Sequence, residues 1–337
     1  MVRKLISKIV SRHILKSMLY ETGLFAASKK NVNTGYDKAW IRDNIYESLG
    51  LIALNDYKTV KKTYHALFDI LLKHEYKIDW ALKEKPDAAY KYIHPRYCPK
   101  TFNEFHEIWG NKQNDAIGSF LFMVGELERK DVSVIRNEKD RMVIQKLVGY
   151  LEKIEYWQDS DNGVWENDEE VHASSIGACV AGLTSVRDIV FVPDWLINKG
   201  KEALNNLLPR ESVSRETDLA LLSLIYPYNI VSDSQREQIL NDIETKLVRE
   251  RGVIRYFNDW YYKNEKGEAE WCFGFIWLAK IYKDLGNTTK YNHYLNKTFS
   301  IMTPRFEIPE LYCAGSDKPN ENTPLGWAQA LYLVACV

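Results

Sequence analysis

Apolar residues recur every three to four positions along almost the whole 337-residue chain, while strict alternation is nearly absent. Stripes of that period can be buried only by packing helix against helix, which points to an all-α protein. Stretches bounded by Gly, Pro, Asn or Asp place about twelve helices, near 3–20, 41–55, 58–75, 112–129, 140–156, 170–186, 195–207, 215–225, 233–249, 270–286, 288–301 and 323–336. Several links after an even-numbered helix are short, such as Asn55–Asp56 and Gly286–Asn287. Most links after an odd-numbered helix are long and aromatic: 21–40, 76–111, 157–169, 250–269 and 302–322. Loops of that length in a packed domain are functional or disordered, and these hold too many Trp and Tyr residues for disorder. No linker divides residues 1–337, and no sequence repeat marks an open solenoid, so one domain is expected: a closed ring of helical hairpins with its long loops on one face.

Composition narrows the partners. Lys and Arg total 45 against 46 Asp and Glu, a net charge of −1, which lacks the basic excess that binds nucleic acid. Cys98, Cys179, Cys272, Cys313 and Cys336 are scattered, odd in number and without a CxxC pair, so disulfides are not expected and a reducing compartment, the cytoplasm, is. Neither HExxH nor HxH occurs, and no metal or cofactor is called for. In the opening segment Lys8, Arg12 and Lys16 interrupt the apolar residues, which excludes a secretory signal. Leu5, Ile9, Ile14, Leu15, Met18 and Leu19 recur there at helical spacing; an organelle-targeting helix shares that pattern, and we read an amphipathic structural helix. No apolar run approaches the roughly 18 residues of a membrane span.

The long loops carry the candidate chemistry. Trp40, Arg42 and Asp43 end the first; Asp43 could cap the following helix, or Arg42 and Asp43 could donate to and accept from ligand hydroxyls. Trp109 beside Gly110 offers an indole face to the apolar side of a sugar ring, with Gln113 and Asp115 as polar contacts. Glu166 follows Trp165, and a carboxyl dried by an indole has its pKa raised and so keeps a proton to donate near neutral pH, whereas Glu169 and Glu170 suit a helix N-terminus. Arg255, Tyr256, Trp260 and Trp271 again mix a cation with aromatic faces, and Glu310 follows Pro309, whose fixed φ constrains the carboxylate. Each fragment alone reads equally well as a cap, turn or aromatic minicore. All of them precede even-numbered helices, so a ring of hairpins brings them to a single mouth.

These segments together resemble glycoside hydrolase family 15, the glucoamylase type, and especially the glucoamylase-like domain of phosphorylase kinase α subunits. TGLFAASKK, YDKAWIRDNIY, WGNKQNDAIG, DNGVWE, EVHASSIG, AEW, PELY and PLGWAQALYL occur in family order over nearly the whole chain. The resemblance implies an (α/α)6 barrel, a six-hairpin toroid, and hydrolysis of an α-linked glucose oligosaccharide or polysaccharide with inversion. It puts Glu166 at the general-acid position and Glu310 at the general-base position, their carboxyl groups expected roughly 6.5–9.5 Å apart. Tyr36, Trp40, Arg42 and Asp43 match the segment lining the terminal glucose subsite. Trp109 matches the aromatic residue near the scissile bond, and Arg255 with Tyr256 a further sugar contact. The chain departs from the family in having no N-terminal β-sandwich or starch-binding module, which implies weak grip on insoluble starch. Spacing between Trp165 and Ser174 is nearer the kinase-subunit pattern, so the alternative is an α-glucan-binding regulatory module without turnover. A helical scaffold with loop aromatics for protein contacts is a third reading. The linkage, whether in maltooligosaccharides, isomaltose, dextran or trehalose, stays open, as does oligomeric state.

Overall fold

Among the described residues, six helices buried nearly all round stand beside six that bury one side, and the first set is enclosed by the second. The computed structural model describes residues 2–107 and 109–337. The inner helices are α2 (Ile41–Ala53), α5 (Asn114–Arg129), α7 (Ala173–Ser185), α9 (Leu222–Ile225, entered through a 3₁₀ turn at Leu219–Leu221), α11 (Phe273–Asp284) and α13 (Gly326–Cys336). Each packs on the next, and α13 returns to α2, closing the ring. The outer helices are α1 (Val2–Met18), α3 (Tyr57–Lys73), α6 (Glu138–Ile154), α8 (Asp194–Leu207), α10 (Asp233–Asp242) and α12 (Thr288–Ile301). The result is the (α/α)6 barrel. Helix chemistry follows position: every residue of α13 is buried, whereas α3 and α6 bury one face only.

The short links work as caps and stops. Asp56 accepts from the Thr59 amide to open α3, and Asn287 accepts from the Lys290 amide at 3.0 Å to open α12. Gly286 ends α11 at φ +70°, the left-handed turn that glycine takes without penalty.

Three sequence expectations need correction. The segment 76–111 is not all loop: α4 (Glu75–Lys83) occupies its start, burying Lys77, Ile78 and Ala81, and a break at His74 separates it from α3. The helix expected over 215–225 is helical only from Leu219, because Asp218 turns inward to cap Ala220. In α1 the buried residues are Ser7, Ser11, Ile14, Leu15 and Met18, so the expected Ile14, Leu15 and Met18 face inward while Leu5 and Ile9 are each 61% exposed. The Ser7 hydroxyl meets the Tyr332 hydroxyl at 2.5 Å, so in the first turns a buried hydrogen bond takes the inward place expected of Leu5 and Ile9.

Two ribbons too short for any alternation signal tie the long loops together. β1 (Ala39–Trp40) pairs antiparallel with β2 (Arg96–Tyr97), and β3 (Glu270–Trp271) with β4 (Leu311–Tyr312). Among the described residues no helix is long and apolar enough to cross a membrane.

Candidate active site

The ribbons and the N-terminal ends of the inner helices surround one pocket with about 70 Å³ of free space, several times what one water requires. Of the residues singled out from sequence, Tyr36, Trp40, Arg42, Asp43, Trp165, Glu166, Arg255, Trp271 and Glu310 line it. Trp109, Gly110 and Tyr256 do not. Trp109 stands at the rim; Gly110 packs on Asn162 and the Glu166 carbonyl; the Tyr256 hydroxyl accepts from the Asn167 amide.

Glu310 precedes β4, and its carbonyl accepts from the Cys272 amide at 3.0 Å, which anchors it at the start of α11. Its carboxyl is 1% exposed and held by three donors. The Tyr36 hydroxyl donates to Oε1 at 2.7 Å, Asn322 Nδ2 donates to Oε2 at 2.8 Å, and Asn320 Nδ2 also donates to Oε2. Burial raises its pKa, against the pull of Asn322, Tyr36, Asn320 and Arg255. The two asparagines were not foreseen. Beside Pro319 and Pro324 they read as turn residues, and nothing local distinguishes a turn Asn from a carboxylate's partner.

Glu166 lies at the tip of a loop closed by the Asp161–Glu170 bridge, with φ +60°. Arg42 Nη2 donates to Oε1 at 3.3 Å and Trp109 Nε1 donates to Oε2 at 2.5 Å. The expected drying of this carboxyl by Trp165 is not what the geometry shows. Trp165 packs on Trp271 and Phe273 and donates to Asp218 at 2.8 Å, so the indole meeting Glu166 is that of Trp109, through its polar edge. Glu169 and Glu170 do not serve the N-terminus of α7 either: Glu169 pairs with Lys112 and Glu170 accepts from Ser214.

Arg42 and Asp43 fall inside the first turn of α2. Asp43 is no cap, since the N-cap residue is Trp40 and no side chain caps the turn. Gln113 and Asp115 do not face the pocket; both accept from Arg42 Nη1, at 3.0 and 2.9 Å, and fix its guanidinium. Burial disfavours charge on Arg42, yet Asp115, Glu166 and Asp43 outweigh it and raise its pKa. Burial raises the Asp43 pKa to about 7; Arg42 opposes that, while Glu166 and Glu310 push it further up. Arg255 is clamped by the Asp259 carboxylate at 2.6 and 2.7 Å and lies 4.6 Å from the Trp271 ring centre. The floor is an aromatic stack in which Trp327 lies between Tyr46 and Phe273. Among the described residues, the indole N–H groups of Trp271 and Trp327 find no acceptor. Trp327 was read from sequence only within the PLGWAQALYL segment, with no role of its own. No cluster of potential metal ligands occurs among the described residues.

Such a pocket offers carboxylates and fixed cations among apolar aromatic faces, the mixture that recognises a polyhydroxylated ring. Comparison with known proteins agrees in kind. Residues 6–336 match the sequence model of glycosyl hydrolases family 15. The probable phosphorylase b kinase regulatory subunit alpha of Caenorhabditis elegans is 28% identical over 376 residues, 89% of this chain and 30% of that protein. The skeletal-muscle regulatory subunit alpha of Oryctolagus cuniculus is 25% identical over 404 residues, 97% of this chain and 32% of that protein. The chain therefore spans about a third of the length of these relatives. Among solved structures, a wild-type glycosidase superposes with TM-score 0.82 at 19% identity, covering 99% of this chain and 96% of that one. The glucoamylase of Hormoconis resinae gives 0.71 at 12% identity, covering 99% and 73%. These two likenesses establish the shared fold.

Proposed function

The chain belongs to glycosyl hydrolase family 15, and from that premise we propose that it releases glucose from the non-reducing ends of α-linked glucosides with inversion of configuration. The observation carrying this reading is that Glu166 and Glu310 line one pocket from different loops, with Arg42 and Asp43 beside them. Glu166 acts as general acid on the departing glycosidic oxygen, and Glu310 as general base on the attacking water. The surroundings of Glu310 suit that work. A carboxylate has about four lone-pair sites, and Tyr36, Asn320 and Asn322 occupy three, which leaves one on Oε1 to accept from a water. Arg42 spends three N–H groups on Gln113, Asp115 and Glu166 and encloses Nε, which leaves one Nη2 hydrogen for a sugar hydroxyl. Asp43 accepts from a hydroxyl, and Trp271 and Trp327 set apolar faces below the ring. A pocket closed below favours a chain end over a chain interior.

The test is glucose release from maltooligosaccharides, isomaltose, dextran and trehalose, with proton NMR following the first anomer formed. The expected product is β-glucose; Glu166→Gln and Glu310→Gln should each lower turnover on the order of 10² to 10⁴-fold while remaining folded. Initial α-glucose, or full turnover in either variant, overturns the assignment.

A second reading is favoured by the relatives, whose names describe regulatory subunits. In it the same pocket binds the non-reducing end of an α-glucan without cleaving it. Maltooligosaccharide binding by the wild-type chain, with no glucose released from any of those substrates, selects this reading.

A further inference from the structure

Arg96 stands on β2 directly across from Trp40 on β1, and it is 2% exposed without lining the pocket. Its guanidinium carbon lies 4.1 Å from the centre of the Trp109 ring, 5.4 Å from that of Trp40 and 5.4 Å from that of Phe105. One carboxylate meets it: Glu107, at 2.5 Å from Nη2, which also accepts from Lys38 at 2.9 Å. Nε has no partner among the described residues. Burying a guanidinium costs hydration, and here aromatic faces supply much of the compensation. The planar cation therefore grips the rings as strongly as they grip it.

The consequence falls on Trp109. No helix or strand holds residues 109–113, and the Trp109 side chain sits at the rim with the residue 38% exposed. Its contacts are the Arg96 cation against its face, the edge of Trp40 at 6.5 Å, and the Glu166 carboxylate at Nε1. Remove the cation and the indole is free to swing, taking its N–H away from Glu166.

We propose that Arg96 is a positioning residue: by stacking on Trp109 it aims that indole's N–H at Glu166 and so sets where the Glu166 carboxyl points. The importance of this for turnover rests on the reading of Glu166 as the acid; the hold on Trp109 does not. Lysine at this position keeps the charge and its reach to Glu107 but has no plane to stack, so the exchange separates stacking from simple charge.

The experiment compares wild type, Arg96→Met, Arg96→Lys and Trp109→Phe. Ultraviolet resonance Raman difference spectra against Trp109→Phe isolate the Trp109 band that reports indole N–H hydrogen bonding. In Arg96→Met that band is expected to move to the position of an indole without an acceptor, and in Arg96→Lys to move part of the way. Turnover is expected to fall about ten- to a hundredfold with KM little changed, and Arg96→Met with Trp109→Phe to be no worse than the more impaired single variant. An unmoved band in folded Arg96→Lys or Arg96→Met overturns the proposal, as does a double variant whose losses multiply. Should Arg96→Met fail to fold, Arg96→Lys carries the test. Should the wild type release no glucose, the assignment of Glu166 falls while the Raman comparison still decides what Arg96 does.

Discussion

Asp43 shows how one side chain acquires a function from its surroundings. In sequence it sits where a helix-capping acid would, yet in the barrel it faces the pocket with Glu166 and Glu310 as like-charged neighbours. Burial first, and those carboxyls next, raise its pKa to about 7 against the pull of Arg42. A raised value means the carboxyl keeps its proton over a range where an ordinary aspartate has ionised. The protonated form cannot accept at both oxygens, so sugar binding is expected to weaken as the pH falls below about 7. We therefore expect kcat/KM on maltotriose to climb as the pH rises through that value, and Asp43→Asn to lose this limb along with affinity. A wild-type profile flat between about pH 5 and 8 would remove Asp43 from substrate recognition.

At the level of elements, the barrel is tightest where α5 meets α7. A Cβ on Gly118 would come 2.4 Å from the Ala178 carbonyl carbon and the Cys179 nitrogen, and one on Gly182 would come 2.4 Å from the Gly118 carbonyl oxygen. These atoms are backbone and cannot step aside without separating the helices. Gly118→Ala should therefore cost about 3 kcal/mol or more by urea unfolding, at the upper end for an overpacked core. Gly286→Ala provides the contrast, since nothing lies within 4 Å of the added carbon and only the φ of +70° is strained. Its cost should stay at about 1–2 kcal/mol. Equal losses in the two variants would mean that the α5–α7 contact is not the rigid seam described. The seam matters to the pocket because α5 carries Asp115, which holds Arg42, while the loop before α7 carries Glu166.

For the molecule as a whole, closure of the ring is the distinctive event. The seam joins the two ends of the chain, α1 packing on α13 and α13 on α2. Leu15 is fully buried there against Ala330 and Leu333, and Gly50 passes so close to Ala330 that a Cβ would lie 2.8 Å from its Cα. Leu15→Ala should destabilise by about 2–5 kcal/mol. Because the seam closes a continuous ring, that loss should lower one thermal transition of the entire protein. Two separated calorimetric transitions in the variant would show α1 unfolding alone, and the ring would not be a cooperative unit.

Much was legible in the sequence because it depends on local periodicity and chain order. The 3.6-residue stripe specified helices, the alternation of short and long links specified hairpins, and both hold for α2, α5, α7, α11 and α13 within a few residues. The same order put the acids and aromatics at one mouth. What sequence could not express were relations between side chains distant along the chain. Asn320 and Asn322 around Glu310, Asp115 and Gln113 behind Arg42, and Trp109 rather than Trp165 against Glu166 are pairings across 10 to 73 positions. The inward place of Ser7 in α1 and the two-residue ribbons escaped for the same reason. Local backbone preference selects an element's type and extent from its own residues. A hydrogen bond, a stacked ring or a shifted titration depends on what the closed ring sets opposite each group.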